Sequence, residues 1–275
     1  MSAPVTYTTV KELMNTGVRP EGVRVVTTYD CKRNCRFCYQ SQRHSVKLDS
    51  EVFRQHLRDM QGFGLMPIYF TFQGGEVSTY PEHTYALCAI ADRYYPQVFR
   101  KSITSNGYGE LSFYRKAKLY GVTHITLSLH GPCKQVEQVA VRVARDGFFT
   151  VRVNCFLHRD RLEQAQYVYR FCRDNRIQLT LCEDLRPDCV NPPTPEEIRE
   201  HVLSDEVPHA YRVQHYKHQD VWTSLWGQEA PYRFWVYHHV DHYDYNNIIV
   251  LPDGSLTMTF DDVMVCAGAG ESDAA

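Results

Sequence analysis

No apolar stretch in this 275-residue chain approaches the roughly 20 residues that a membrane-spanning helix needs. The start, Met-Ser-Ala-Pro-Val-Thr, also lacks the basic tract and apolar run of a secretory signal. A cytoplasmic chain with no membrane partner is expected. Basic residues are scarce at the far end: residues 187–275 hold 4 Lys and Arg against 15 Asp and Glu, whereas residues 1–186 hold 26 against 17. The two parts, at −11 and +9, nearly cancel to a net −2. Such a split can mean a basic tract for polyanions, although no nucleic-acid partner is expected. An acidic segment docked on a basic body accounts for the asymmetry, and so does an acidic contribution to binding a cationic substrate. Cysteine is not scarce, at ten residues, but without a secretory segment these read as reduced thiols rather than a disulfide framework.

Three of the ten stand together in Cys31-Lys-Arg-Asn-Cys35-Arg-Phe-Cys38, spaced C-x3-C-x2-C directly after the apolar run that begins at Val23. Thiolates this close on a loop can converge on one metal centre, and soft sulfur selects zinc, Cu(I) or an iron–sulfur cluster. A structural zinc site is closed by four protein ligands. The nearest further candidate, His44, lies six residues on in a polar run. A [4Fe–4S] cluster held by three cysteines instead leaves one iron open to an outside ligand.

Strands are predicted over 23–29, 68–73, 99–105, 124–129, 151–158 and 177–182, with helices over 49–62, 81–95, 110–120, 133–146 and 161–175 between them. Alternation at these lengths reads as βα units with a parallel sheet. The fold class is therefore α/β: a partial (βα)6 TIM-like barrel over residues 23–186, behind a lead-in of residues 1–22 too short for a recognition domain. Residues 187–275 follow as a substrate-capping extension with helical and β-hairpin parts. In it, Thr194-Pro-Glu-Glu197 is a capping-box helix start, a second helix spans about 208–226, 232–240 is a strand, and 247–251 with 255–260 form a hairpin. The barrel strands alternate in character. Val151, Val153, Cys155 and Leu157 share one face, and Arg152, Asn154 and His158 share the other. Ile125, Leu127 and Leu129 are likewise set apart from Thr126 and Ser128, and Phe70 and Phe72 from Thr71 and Gln73. If the oily face meets the helices, the polar face lines a lumen filled by ligand and water.

With Phe37 just before its last cysteine, the loop resembles the cluster loop of the radical S-adenosylmethionine (radical SAM) enzymes. Gln73-Gly74-Gly75-Glu76 resembles that family's glycine-rich motif, and Thr104-Ser-Asn106-Gly107 and Ser128-Leu-His130-Gly131 stand at later strand ends where the family often carries similar residues. The resemblance covers about residues 23–185. It implies that Cys31, Cys35 and Cys38 hold three irons of a [4Fe–4S] cluster, and that S-adenosyl-L-methionine (AdoMet) chelates the fourth. Reductive cleavage then gives a 5′-deoxyadenosyl radical that takes a hydrogen atom from the substrate. Gly74 and Gly75 would let the backbone approach the methionyl group, Glu76 would meet its ammonium, and Phe37 would pack near the adenine. Asn106, Ser128, Arg152 and Asn154 are candidate contacts to the ribose or carboxylate. An electron donor such as flavodoxin or ferredoxin is implied as a partner.

Larger relatives carry auxiliary clusters after a hairpin like Leu251-Pro-Asp-Gly-Ser-Leu256, but here Thr257-Met-Thr-Phe-Asp-Asp262 follows without a cysteine. The expected enzyme thus has a single cluster. Cys266, Cys182 and Cys133 are candidate hydrogen-atom donors for an epimerisation, and His130, His158, His238, His239 and His242 are candidate proton relays or simply a His-rich surface. The leading reading is an enzyme of natural-product (antibiotic) biosynthesis. It would act on a small polar substrate, cationic or aminosugar-like, by epimerisation, a redox-neutral rearrangement or an oxidoreduction. A peptide-modifying relative is the alternative, and a non-catalytic metal-binding or regulatory protein is the reading from another class.

Overall fold

The predicted alternation of period-2 and period-3.6 segments is what the chain builds. A computed structural model describes residues 6–33, 35, 38, 40, 44–183, 192–203, 211–216, 219–224, 232–237 and 247–258. Strands β1 (Gly22–Val26), β2 (Tyr69–Gln73), β3 (Arg100–Ser105), β4 (His124–Ser128), β5 (Thr150–Leu157) and β6 (Gln178–Glu183) alternate with helices. After α1 (Val10–Met14), these are α2 (Ser50–Gly62), α3 (Pro81–Tyr94), α4 (Leu111–Ala117), α5 (Lys134–Arg145) and α6 (Leu162–Asp174). The class is α/β, with the strand order of a partial (βα)6 TIM-like barrel and a C-terminal extension of helical turns and strands. Local chemistry sets the helix starts. The Asp49 carboxylate accepts from the Glu51 and Val52 backbone N–H groups, and Pro81 opens α3. The lead-in holds an element the sequence did not disclose. Thr9 and Glu12 form a capping box on α1, whose five residues are too few to show a period.

The chain divides into two compact units: residues 1–105, 109–125 and 241–275 in the first, and 106–108 with 126–240 in the second. In the first unit the strand order is β11-β10-β1-β2-β3, with β10 at Asn247–Val250 and β11 at Leu256–Thr257. The predicted hairpin thus joins the sheet, with β10 parallel to β1 from Gly22↔Asn247 to Val25↔Val250. Tyr7 closes the outer edge by exchanging two backbone hydrogen bonds with Leu256 at 2.7 and 2.8 Å. On one face of this sheet, Val23, Val25, Phe70, Phe72 and Ile103 are fully buried. Phe70 packs on Tyr95, and Lys101 reaches Asp92 of α3 at 2.9 Å, so that face meets the helices. Each such Val or Phe contributes about 1.5–3 kcal/mol by leaving water.

In the second unit the order is β4-β5-β6-β9-β8-β7, with β7 at Tyr211–Tyr216, β8 at Gln219–Ser224 and β9 at Tyr232–Tyr237. The helix expected over 208–226 is therefore wrong, since these residues form an antiparallel hairpin. Val213, Val221 and Thr223 are β-branched and Trp222 is aromatic, residue types that favour a strand. β9 runs parallel to β6, and Phe234 is buried against Tyr169 at 5.2 Å and Trp222 at 5.9 Å. The capping box at Thr194 forms as predicted, although the helix it starts passes after Glu197 into a π-turn over Ile198–Val202.

Arg159 donates to the Glu197 carboxylate through Nε at 3.1 Å and Nη2 at 2.9 Å. The Thr194 backbone N–H, and after it the Arg159 guanidinium, hold Glu197 below the usual carboxylate range. A depressed folded-state pKa stabilises above the unfolded value and is lost as pH falls through the folded one. Thermal melts of wild type and Glu197→Gln are expected to differ above about pH 4.3 and to converge below it.

Candidate functional site

In the first unit, the cysteine loop grows out of β1 along a rail of backbone hydrogen bonds that continues the β1–β2 pairing. Thr27 N–H donates to Gln73 O, Gly75 N–H to Thr28 O, and Glu76 N–H to Asp30 O, each at 2.8 Å. The loop's far end returns to the same place. Leu48 N–H donates to Thr27 O at 3.0 Å and Thr28 Oγ1 to Val46 O at 2.8 Å, so the excursion is clasped at its neck. Tyr80 donates its hydroxyl to Asp30 Oδ2 at 2.8 Å, and that bond pushes the phenol up from its ordinary value. Lys47 lies 4.7 Å over the Tyr80 ring.

This rail explains why glycine stands at 74 and 75. A Cβ on Gly75 would lie 2.2 Å from Asp30 O, and one on Gly74, whose φ is +150°, would lie 2.4 Å from Thr28 O. The space a side chain would need is filled by the root of the cysteine loop. Glu76 follows, 6% exposed. Its Oε1 accepts from Ser78 N–H at 3.0 Å, Ser78 Oγ at 2.7 Å and Ser105 Oγ at 2.8 Å. The carboxylate is thereby fixed where β2 ends, capping the turn Val77–Thr79.

Cys31, Cys35 and Cys38 are all part-exposed. Cys38 N–H donates to Cys35 O at 3.0 Å, closing a turn, and Cys31 Sγ accepts from Arg33 N–H at 3.4 Å. Cys88, Cys155 and Cys172 differ: burial pushes each of these thiols far up, leaving them protonated core side chains. Among the described residues no three His, Cys, Asp or Glu side chains are gathered as a ready metal site. The fit to an iron–sulfur cluster rests on the donor set: three accessible thiols on one loop, one accepting an N–H bond as cluster-ligating sulfurs do. Phe37, Cys266, Asp261 and Asp262 lie outside the described residues.

The second unit carries the remaining candidates in two places. Asn106 Oδ1 accepts from Tyr108 N–H at 2.9 Å, and Tyr108 Oη lies 3.1 Å from Cys133 Sγ, at the N-cap of α5. The turn at 106–108 and Cys133 are thus brought together. On β5, burial alternates residue by residue, with Arg152 and Asn154 on the more open face as predicted. Arg152 Nη2 donates to Gln178 Oε1 at 3.3 Å, and its guanidinium lies 4.8 Å over the Trp235 ring. Sequence reasoning missed Trp235, although the alternation in Tyr232–Tyr237 marked its strand. Cys182 is half-buried opposite Phe156 and Ser128 ends β4. His130 Nδ1 accepts from Phe156 N–H at 2.9 Å and His158 Nδ1 from Asp160 N–H at 3.2 Å, so both have backbone roles.

The family model described as the Radical SAM superfamily matches residues 25–156, from β1 to the end of β5. No curated protein matches the chain. Among solved structures, Streptococcus suis SuiB bound to precursor peptide SuiA is similar, with a TM-score of 0.63 at 13% identity over 96% of this chain and 64% of that one. Native anSMEcpe with bound AdoMet gives 0.53 at 15% identity, over 67% and 60%. Methylornithine synthase (PylB) gives 0.50 at 14% identity, over 66% and 62%. These identities show a common fold, and the chain spans less than two thirds of each structure's length. Among the described residues no helix is long and apolar enough to cross a membrane.

Proposed function

We propose that this chain is a radical SAM enzyme that abstracts a hydrogen atom from a small polar substrate and completes an epimerisation or another redox-neutral rearrangement. The observation that carries the first part is the backbone rail tying Gly75 and Glu76 to Thr28 and Asp30, which fixes the cysteine loop against the Gly74-Gly75-Glu76 turn inside the matched domain. When bound, the cluster and AdoMet supply a 5′-deoxyadenosyl radical. Cys31, Cys35 and Cys38 would hold three irons, and Glu76, already oriented by Ser78 and Ser105, would face the methionyl ammonium. Asn106, Ser128, Arg152 and Asn154 would serve the ribose and carboxylate. A flavodoxin- or ferredoxin-like donor would supply electrons, and the run from Cys31 to Leu48, with five Lys and Arg and no acidic residue, supports an acidic one. The absence of a cysteine in residues 257–262 supports chemistry without an auxiliary cluster.

A peptide substrate is the second reading, favoured by the likeness over 96% of this chain to a protein solved with a precursor peptide. The function is tested by incubating the reconstituted chain anaerobically with AdoMet and dithionite. Formation of 5′-deoxyadenosine supports it, and no cleavage by a chain holding its cluster overturns it. For the second half of the reaction, Cys133, Cys182 or Cys266 would give a hydrogen atom to the substrate radical, one electron and one proton then restoring the thiol. In D2O the product is expected to gain one deuterium, and the Ala variant of the donor to stop turnover while still forming 5′-deoxyadenosine. Full deuterium incorporation by all three variants would remove the thiol step.

A further inference from the structure

Asp30, the residue before Cys31, is held at three points. Its N–H donates to Thr28 Oγ1 at 3.1 Å, its C=O accepts the Glu76 N–H at 2.8 Å, and its Oδ2 accepts the Tyr80 hydroxyl at 2.8 Å. Tyr80 is the N-cap of α3, and His83 in the first turn of that helix hydrogen-bonds to the Thr27 backbone, so α3 braces the root of the cysteine loop in two places. The bond from a phenol to a carboxylate is charge-assisted and fixes where the negative charge stands. Charge singles this residue out. From Cys31 to Leu48 the chain has five Lys and Arg and no acidic residue, so Asp30 is the acid nearest in sequence to all three cysteines. Lys47, one of the five, lies 4.7 Å over the Tyr80 ring. An asparagine would accept the Tyr80 hydroxyl as well, so holding the loop does not in itself require a charge. A charge does act on an iron–sulfur cluster: nearby cations favour the added electron and raise the reduction potential, and a nearby anion lowers it.

We propose that the Asp30 carboxylate, positioned by Tyr80, is a fixed negative charge that offsets the cationic loop and holds the reduction potential of the cluster low. This rests on the radical SAM reading and adds to it a residue that tunes the centre without touching it. A low potential makes the reduced cluster a stronger one-electron donor, which cleavage of a sulfonium demands. Asp30 is suited to the role because its backbone is pinned to Thr28 and Glu76 and its side chain to a helix cap, so the charge cannot wander toward the exposed cations of the loop.

The test is a potentiometric titration of the reconstituted cluster, followed by electron paramagnetic resonance, without AdoMet. Asp30→Asn keeps an oxygen for the Tyr80 hydroxyl. It is expected to raise the reduced-to-oxidised ratio at a fixed potential about tenfold, a shift of about 59 mV for one electron, with iron content and the melting temperature of the iron-free chain unchanged. Tyr80→Phe is expected to move the potential the same way, because a released carboxylate turns to Lys47, and to add nothing in the Asp30→Asn background. Asp174→Asn, which removes an exposed carboxylate at the end of α6, serves as the unchanged control. A potential unmoved or lowered by Asp30→Asn would overturn the proposal. So would a Tyr80→Phe shift of equal size in both backgrounds, since Tyr80 would then act without the carboxylate. If Asp30→Asn fails to load iron, Tyr80→Phe decides alone, a raised potential supporting the role and an unmoved one overturning it. 5′-Deoxyadenosine formed by the wild-type sample reports separately on the radical reading.

Discussion

Cys35→Ala is expected to abolish iron incorporation and 5′-deoxyadenosine formation while leaving the chain folded. The loop's position does not depend on its thiols. Its neck is clasped by Thr27 and Thr28 against Val46 and Leu48, and its root is tied to Gly75 and Glu76, all through bonds the substitution does not touch. Removing one of the three thiolates is expected to remove the metal centre. Iron is expected to fall from about four per chain to near none, with the melting temperature of the iron-free chain unchanged. Cys155→Ala is the informative contrast. Cys155 is fully buried on β5, so its truncation is expected to cost about 1–3 kcal/mol with iron content retained. Iron retained by Cys35→Ala would show that the loop is not the ligand set.

Gly75→Ala is expected to lose stability and iron together. The new Cβ would lie 2.2 Å from Asp30 O, a backbone atom that cannot swing aside, so Asp30 and with it Cys31 must shift. Overpacking of this kind costs about 1–3 kcal/mol, and here the strain falls on the residue before the first thiol. Gly147→Ala separates the two effects. Gly147 has φ +68° and nothing within 4 Å of its Cβ position, so alanine there costs about 1–2 kcal/mol of backbone strain with iron unchanged. Melting curves and iron assays on the purified pair check this, and equal iron in both would contradict the role given to the rail.

Much of this was readable from residue order, because the signals were local. Strand alternation on β5 appears residue for residue in its burial, and the Thr194 cap formed where its spacing placed it. What escaped was set by distant partners. Arg24 meets Gln73 across 49 residues, and β9 and β10 join β6 and β1 by parallel pairing across connections with no local signature. The glycines at 74 and 75 were visible as a motif, yet what crowds them, the carbonyls of Thr28 and Asp30, depends on the register of β1 against β2. The hairpin Tyr211–Ser224 was misread because its aromatic residues satisfy helical and strand periods over so short a span.

The central claim is that Cys31, Cys35 and Cys38 hold a cluster with one iron left open. Mössbauer spectroscopy of the anaerobically reconstituted chain tests it most directly. The prediction is about four irons per chain in a [4Fe–4S] cluster, with one iron site whose signal changes on adding AdoMet. A single tightly bound zinc in place of iron, or a full cluster whose four sites ignore AdoMet, would contradict it.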